Sequence, residues 1–279
     1  MRPSPSSLNL KAIEKDAPAP PTITFTLSAR HFPLLTIGWG ICTLTTCISL
    51  NRWHDHDIGG IPWPYISDTA KDAPQSALFG FGMTMACAMM AVVIVINYGK
   101  CKRELYLLAD AENGGGSAAG LKRNKLALVC GLLACPNLGL LACFDTKRTP
   151  GLHLAFVLGF FPFALVFLFA ITSLYRLLTA LAAAKSGGDS GEKGDKTRFI
   201  SLQRSLWWKS RVTNVFCVFF ALYLPVGMQL VSDWHDYRND VLVHTCRAVC
   251  QHVCVVCLIL YFGTFYFDFG DSNLVLLQV

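Results

Sequence analysis

The sequence predicts an all-α, polytopic integral membrane protein: a six-helix transmembrane bundle with N- and C-termini cytosolic. Three observations carry this reading. Hydrophobic residues make up 53% of the chain and charged residues 15%, against about 45–50% and about 25% in soluble domains. The apolar residues gather into six runs of about 20 residues, the length at which a helix crosses a bilayer, and none alternates as a barrel strand does. Lys and Arg are segregated. With the N-terminus in the cytosol, eighteen of the 24 fall in cytosolic segments and five in the opposite loops, which is the positive-inside bias. A 30.7 kDa chain is too small to hide six such runs in a soluble core. The net charge of +6 follows from this topology, faces anionic lipid and requires no nucleic acid.

Residues 1–31 form a cytosolic tail whose Pro3, Pro5, Pro18, Pro20 and Pro21 read as flexible. No apolar core of a cleavable signal precedes the first span, 32–50, which is expected to act as an uncleaved anchor. The loop 51–76 follows. Pro62, Pro64 and Pro74 cannot sit inside a regular helix and push their predecessors toward extended geometry. Trp63, Tyr65 and Ile66 make this loop too apolar for a linker, so it is expected to pack against the bundle. Span two is 77–97. The segment 98–125 contains Gly114-Gly115-Gly116-Ser117, a flexible linker. Span three, 126–144, and span four, 152–174, form an antiparallel hairpin about a short turn. The 183–197 segment is rich in Gly, Ser, Lys and Asp and reads as disordered. Span five is 212–231, span six is 243–265, and 270–279 is a short cytosolic tail. Pro136, Pro162 and Pro225 are expected to kink spans three, four and five, where neighbouring helices satisfy the freed carbonyls. Gly80, Gly82, Gly131, Gly139 and Gly159 permit close helix approach.

Pro64, Tyr65, Ile66, Ser67, Asp68 and Thr69, followed by Pro74-Gln75-Ser76 and Phe79-Gly80-Phe81, form a pattern that resembles the signature loop of the Frag/DRAM/Sfk family. The resemblance extends to His153 early in the fourth span and to the aromatic last span, 258–269, ending on an acidic residue and Phe; it covers roughly 32–269. It implies six spans with the loop between the first two. It also implies a non-enzymatic role, either in regulating autophagy at endolysosomal membranes or in phosphoinositide signalling and lipid organisation at the plasma membrane. A kinase-complex protein is an implied partner. Some relatives remodel GPI-anchor lipids in the Golgi or endoplasmic reticulum, which is the alternative reading. A small-solute or lipid transporter is a further one. This chain departs from the family at three points: Ala70 replaces Gly, Gln75 replaces Glu, and Gln251-His252 replaces Glu-Trp. Glutamine retains hydrogen bonding but transfers no proton at neutral pH, which counts against acid–base catalysis. No phosphate-binding, nucleophile-elbow or zincin motif is present, and no cofactor is expected.

Asp68 is expected to cap the start of span two or a preceding turn by accepting backbone N–H bonds. His153, Arg247, Gln251 and His252 are buried or interfacial polar candidates; the ionisable ones, His153, Arg247 and His252, are costly in a span and by default mark function. Arg247 is expected to snorkel or to pair with Asp233, Asp236 or Asp240. His54-Asp55-His56-Asp57 and His235-Asp236 hold metal-ligand types, but they read better as a solvated loop, and no metal site is expected. Cys246, Cys250, Cys254 and Cys257 share one helix face. They extend over about 16 Å at 1.5 Å per residue, too far for one ion, and read as a packing stripe. Cys101, beside Lys100, Lys102 and Arg103, is a candidate for S-palmitoylation. Lys196, Arg198, Arg204, Lys209 and Arg211, interleaved with Phe199, Leu202 and Leu206, suggest an amphipathic segment lying on anionic lipid, phosphoinositides included.

Overall fold

The computed structural model describes residues 24–54, 63–109, 115–186, 193–224, 241–270 and 273–278. These hold six helices: α1 (His31–Trp53), α2 (Gln75–Ala109), α3 (Gly115–Cys143), α4 (Pro150–Ser186), α5 (Lys193–Tyr223) and α6 (Val241–Phe269). Helices α1, α2, α3, α4 and α6 are long and apolar enough to cross a membrane. The expected fifth span begins in α5 and continues past Leu224, beyond which lie residues outside the described set, Pro225 among them.

Most helices outlast their apolar runs. Beyond residue 97, Lys100, Lys102, Arg103, Glu104 and three leucines are good helix formers, and α2 continues to Ala109. The expected 98–125 linker is therefore mostly helix, with Gly115 opening α3. The 183–197 segment is likewise helical up to Ser186 and again from Lys193.

Each helix packs on the next in sequence, and α1 also packs on α6. The core centres on α4 and α6, where Phe167 stacks on Phe262 with centroids 6.0 Å apart and Leu168, Leu174, Tyr261 and Phe265 are sealed from solvent. Close approach needs glycine at three of the expected positions. A Cβ at Gly82 would strike Thr43, at Gly131 the Phe167 ring, and at Gly159 the Asn137 amide; Gly80 and Gly139 meet only ordinary contacts. Pro136 and Pro162 lie inside α3 and α4.

The tails hold one surprise. Residues Thr24–Ser28 form β1 and Asn273–Gln278 form β2, and they pair antiparallel with an irregularity between Phe25 and Thr26. The N-terminal tail, expected to be flexible, is thus ordered at Thr24–Ser28. The pairing sets both flanks of the bundle at one end, called here the tail end. The α1–α2 loop and the α3–α4 turn lie at the opposite, loop end.

Candidate functional site: a pinned loop and a buried ion pair

At the loop end, the Pro64 segment enters the structure with Pro64 and Ile66 buried. An extended chain offers its N–H groups to no helix, so each buried one needs a partner. Gln251 of α6 supplies it: Ile66 N–H donates to Oε1 at 3.0 Å. The Tyr65 hydroxyl lies 3.2 Å from His244 Nδ1, and Trp63 Nε1–H donates to His252 Nδ1 at 3.3 Å. That nitrogen also lies 2.8 Å from the Ala248 carbonyl. It cannot accept from Trp63 and donate to Ala248 at once, so the Trp63 bond requires the tautomer protonated at Nε2. The loop thus grips α6 from His244 to His252, about 12 Å of helix at 1.5 Å per residue.

The chain then makes a short 3-10 turn, Asp68–Ala70. Asp68 does not cap it. Asp68 N–H and Thr69 N–H already donate to the Tyr65 carbonyl, and Ala70 N–H donates to that of Ser67, so the turn offers the carboxylate no orphan donor. Asp68 instead accepts the Thr146 hydroxyl from the α3–α4 turn at 3.5 Å. Four residues on, Asp72 pairs with Lys147 of the same turn at 2.7 Å. Burial lifts the Asp68 carboxyl above its ordinary range, with Lys71 and the Thr146 bond opposing. Burial also pushes the Tyr65 phenol up to about 12. Thr69 is buried and donates its hydroxyl to the Ile66 carbonyl at 2.8 Å.

His153 is buried one turn into α4, with Nδ1 2.9 Å from the Leu141 carbonyl and 2.8 Å from that of Phe144. Both partners are acceptors, so Nδ1 carries the proton. His153 closes the end of α3, whose last carbonyls have no partner within the helix. Arg247 donates from Nε to the Tyr223 carbonyl at 3.2 Å, with its guanidinium over the Tyr223 ring; Asp233, Asp236 and Asp240 lie outside the described residues. Gln75 is fully buried. Its carbonyl accepts the Cys47 thiol at 3.8 Å, while its side-chain amide has no hydrogen-bond partner among the described residues. No three His, Cys, Asp or Glu side chains gather into a metal site among the described residues; residues 55–57, 235 and 236 fall outside them. Of the four-cysteine stripe, Cys250, Cys254 and Cys257 are buried in the helix packing, while Cys246 is half-buried.

The tail end corrects two expectations. Residues 196–211 are not a separate segment lying on a surface: they belong to the long helix α5, with Leu202 buried and Phe199 and Leu206 packed on the core. Their apolar face meets protein rather than lipid. Lys209 is excluded from lipid contact. It is fully buried, and its ammonium donates to Ser205 Oγ at 3.0 Å, Thr264 Oγ1 at 2.6 Å and Asp268 Oδ2 at 2.5 Å. The Tyr175 and Phe265 rings lie 4.4 and 4.5 Å from the same nitrogen. Arg198 pairs with Glu104 of α2. Lys196, Arg204 and Arg211 remain exposed, the last two stacked over Phe267 and Trp207. Cys101 is not open to lipidation: α2 runs past it, it is 1% exposed, and its thiol donates to Asn97 Oδ1 at 3.7 Å.

The sequence profile of the Frag1/DRAM/Sfk1/Cwh43P N-terminal domain matches residues 28–272, the whole helical bundle. The chain belongs to this family. It is 24% identical over 230 residues to DNA damage-regulated autophagy modulator protein 1 of Xenopus laevis, covering 78% of this chain and 82% of that protein. With the human protein of the same name it shares 26% over 222 residues, 76% of this chain and 79% of the relative. Human DNA damage-regulated autophagy modulator protein 2 is 30% identical over 111 residues, 40% and 38% of the two chains. No solved structure matches. The protein is therefore a DRAM-like, integral multi-pass membrane protein.

The Lys209–Asp268 pair of this DRAM-like bundle escaped the sequence reading, although signals for it exist. Ser205, Lys209 and Thr213 recur every four residues, a polar stripe on one helix face, and Thr264 and Asp268 repeat the spacing on α6.

Proposed function

We propose that this DRAM-like protein is a non-enzymatic organiser of endolysosomal membranes that regulates autophagy, with its tail end cytosolic and its loop end luminal. The observation that carries this reading is how the signature loop uses its polar groups. Trp63, Tyr65, Ile66 and Asp68 bond to α6 and to the α3–α4 turn, so the loop works as a brace that fixes the luminal ends of the helices. Gln251 supports the same reading, because its task is to accept an N–H bond, which needs no proton transfer. The names of the relatives supply the process, autophagy.

The test is a deletion strain complemented with a copy tagged between Ser186 and Lys193. Expected are a late-endosomal or lysosomal signal and altered autophagic cargo degradation in the deletion, restored by the tagged copy. A Golgi or endoplasmic-reticulum signal, normal flux and altered surface GPI-anchored proteins would replace this reading with GPI-anchor lipid remodelling. A plasma-membrane signal with altered phosphoinositide levels would replace it with a signalling role.

A further inference from the structure

We propose that the tail end carries a binding site for a phosphomonoester lipid headgroup, in the cleft between α2, α5 and the end of α6. The cleft has a volume of about 590 Å³ and is lined by Lys100 and Glu104 of α2, Thr197, Arg198, Ser201 and Leu202 of α5, and Asp268 of α6.

Its charges are unevenly committed. Glu104 is neutralised by Arg198, which donates to it from Nε and Nη2, and Asp268 is neutralised by Lys209 beneath the cleft. Lys100 forms no ion pair among the described residues. Among the described residues, Lys100, Arg198 and the buried Lys209 therefore stand against two carboxylates, and the surplus positive charge, that of Lys100, sits in a recess. Ser201 lines the same recess, and the Arg198 fork has N–H groups beyond the two given to Glu104. A phosphate accepts several such bonds at once and bonds best to charged donors. A cationic ligand would be repelled by Lys100 and would find both carboxylates already paired. A neutral ligand would leave the Lys100 charge uncompensated.

The level of the cleft decides between a lipid and a soluble phosphate. Lys100 follows the apolar run 77–97 by three residues, and Asp268 follows the run 243–265 by three. The cleft thus lies where the helices leave the hydrocarbon, at the height of headgroups. Trp207 and Trp208, 52% and 45% exposed, stand on α5 between the cleft-lining residues and the start of its apolar run, and such rings settle at membrane interfaces. The site goes beyond the role in autophagy and stands or falls independently of it.

The test uses the full-length protein in phosphatidylcholine nanodiscs, with phosphatidic acid, equal phosphatidylserine, or soluble glycerol 3-phosphate added. Bound lipid is counted by native mass spectrometry and stabilisation by thermal unfolding. Phosphatidic acid is expected to bind and raise the unfolding midpoint, and phosphatidylserine to do so less. Lys100→Gln, which removes one charge-assisted bond, should weaken binding about tenfold. Ser201→Leu fills the cleft without touching an ion pair and should weaken it similarly. Lys100→Arg should retain binding, as should Lys196→Gln, an exposed change outside the cleft. Wild-type unfolding midpoints of the variants without added lipid keep the loss attributable to the site. Equal binding of phosphatidylserine, or wild-type phosphatidic acid binding by both Lys100→Gln and Ser201→Leu, would overturn the proposal. So would glycerol 3-phosphate alone reproducing the full shift, which would make the ligand a soluble phosphate.

Discussion

Removing one member of the Lys209–Asp268 pair should harm this protein more than removing both. Lys209 is 0% and Asp268 5% exposed. The ammonium has three N–H groups, and the structure gives it three acceptors, of which only Asp268 carries charge. Asp268→Asn leaves a buried cation without a counter-charge and should cost about 3–5 kcal/mol. Lys209→Met leaves the Asp268 carboxylate without its ammonium, and Thr264 offers no replacement, since its hydroxyl donates to the Tyr261 carbonyl; the cost should be similar. Lys209→Met with Asp268→Leu removes both charges and packs apolar side chains against Tyr175 and Phe265. Replacing a buried pair in this way is often neutral or stabilising by about 1–4 kcal/mol. The double variant should therefore lie several kcal/mol above the sum of the singles, beyond the 0.5–3 kcal/mol coupling typical of touching residues. Unfolding of the four proteins in one detergent or nanodisc measures this cycle. A double variant that loses as much as the two singles together would show that the pair is not coupled, and the reasoning would fail.

Three other outcomes are expected. Asp68 has its carboxyl raised by burial, so ionisation costs the folded state stability at neutral pH, and that cost fades as pH falls through the raised value toward the unfolded one near about 3.9. Asp68→Asn keeps an acceptor for Thr146 and should be more stable than wild type at neutral pH, the advantage closing toward about pH 4; unfolding midpoints across pH would show it. Gln251→Leu leaves the buried Ile66 N–H unpaired at a cost of about 1–3 kcal/mol, whereas Gln251→Glu keeps the acceptor; hydrogen exchange across residues 63–70 should rise in the first variant only. Gly131→Ala drives a methyl to 2.9 Å from the Phe167 ring and should cost about 1–3 kcal/mol by overpacking, read as a lower unfolding midpoint.

The apolar runs made the helices legible, since burial in lipid selects for them directly. Their ends were not legible, because a helix of Lys, Arg, Glu and Leu continues into water without needing an apolar face. Cys101, a lipidation candidate by its basic neighbours, is enclosed for this reason: α2 runs past it. The loop's importance was visible in Pro64, Tyr65 and Asp68. Its partners His244 and Thr146 were not, and Gln251 stood out as a polar residue of the last span without its pairing to Ile66, because all three come from elements far away in sequence. Lys209 was counted with the surface cations because its sequence neighbours are basic. What sets its environment is Asp268, 59 residues away along the chain, and only the α5–α6 packing brings the two together. Strands β1 and β2 are five and six residues long and, among the described residues, pair with each other alone, too short a pattern to be read as strands from the sequence.

That small sheet bears on how the protein is built. β1 leaves the ribosome before α1 and β2 only after α6, so the two strands can meet only once every helix between them has been threaded. Their ladder then works as a clasp, tying the first helix to the last and resisting escape of α1 into the bilayer. A chain stopped short of Asn273 would insert the same helices yet leave Thr24–Ser28 with both edges open instead of one, and open edges invite pairing with other chains. An unfastened clasp is thus a mark by which quality control could tell an unfinished copy from a finished one.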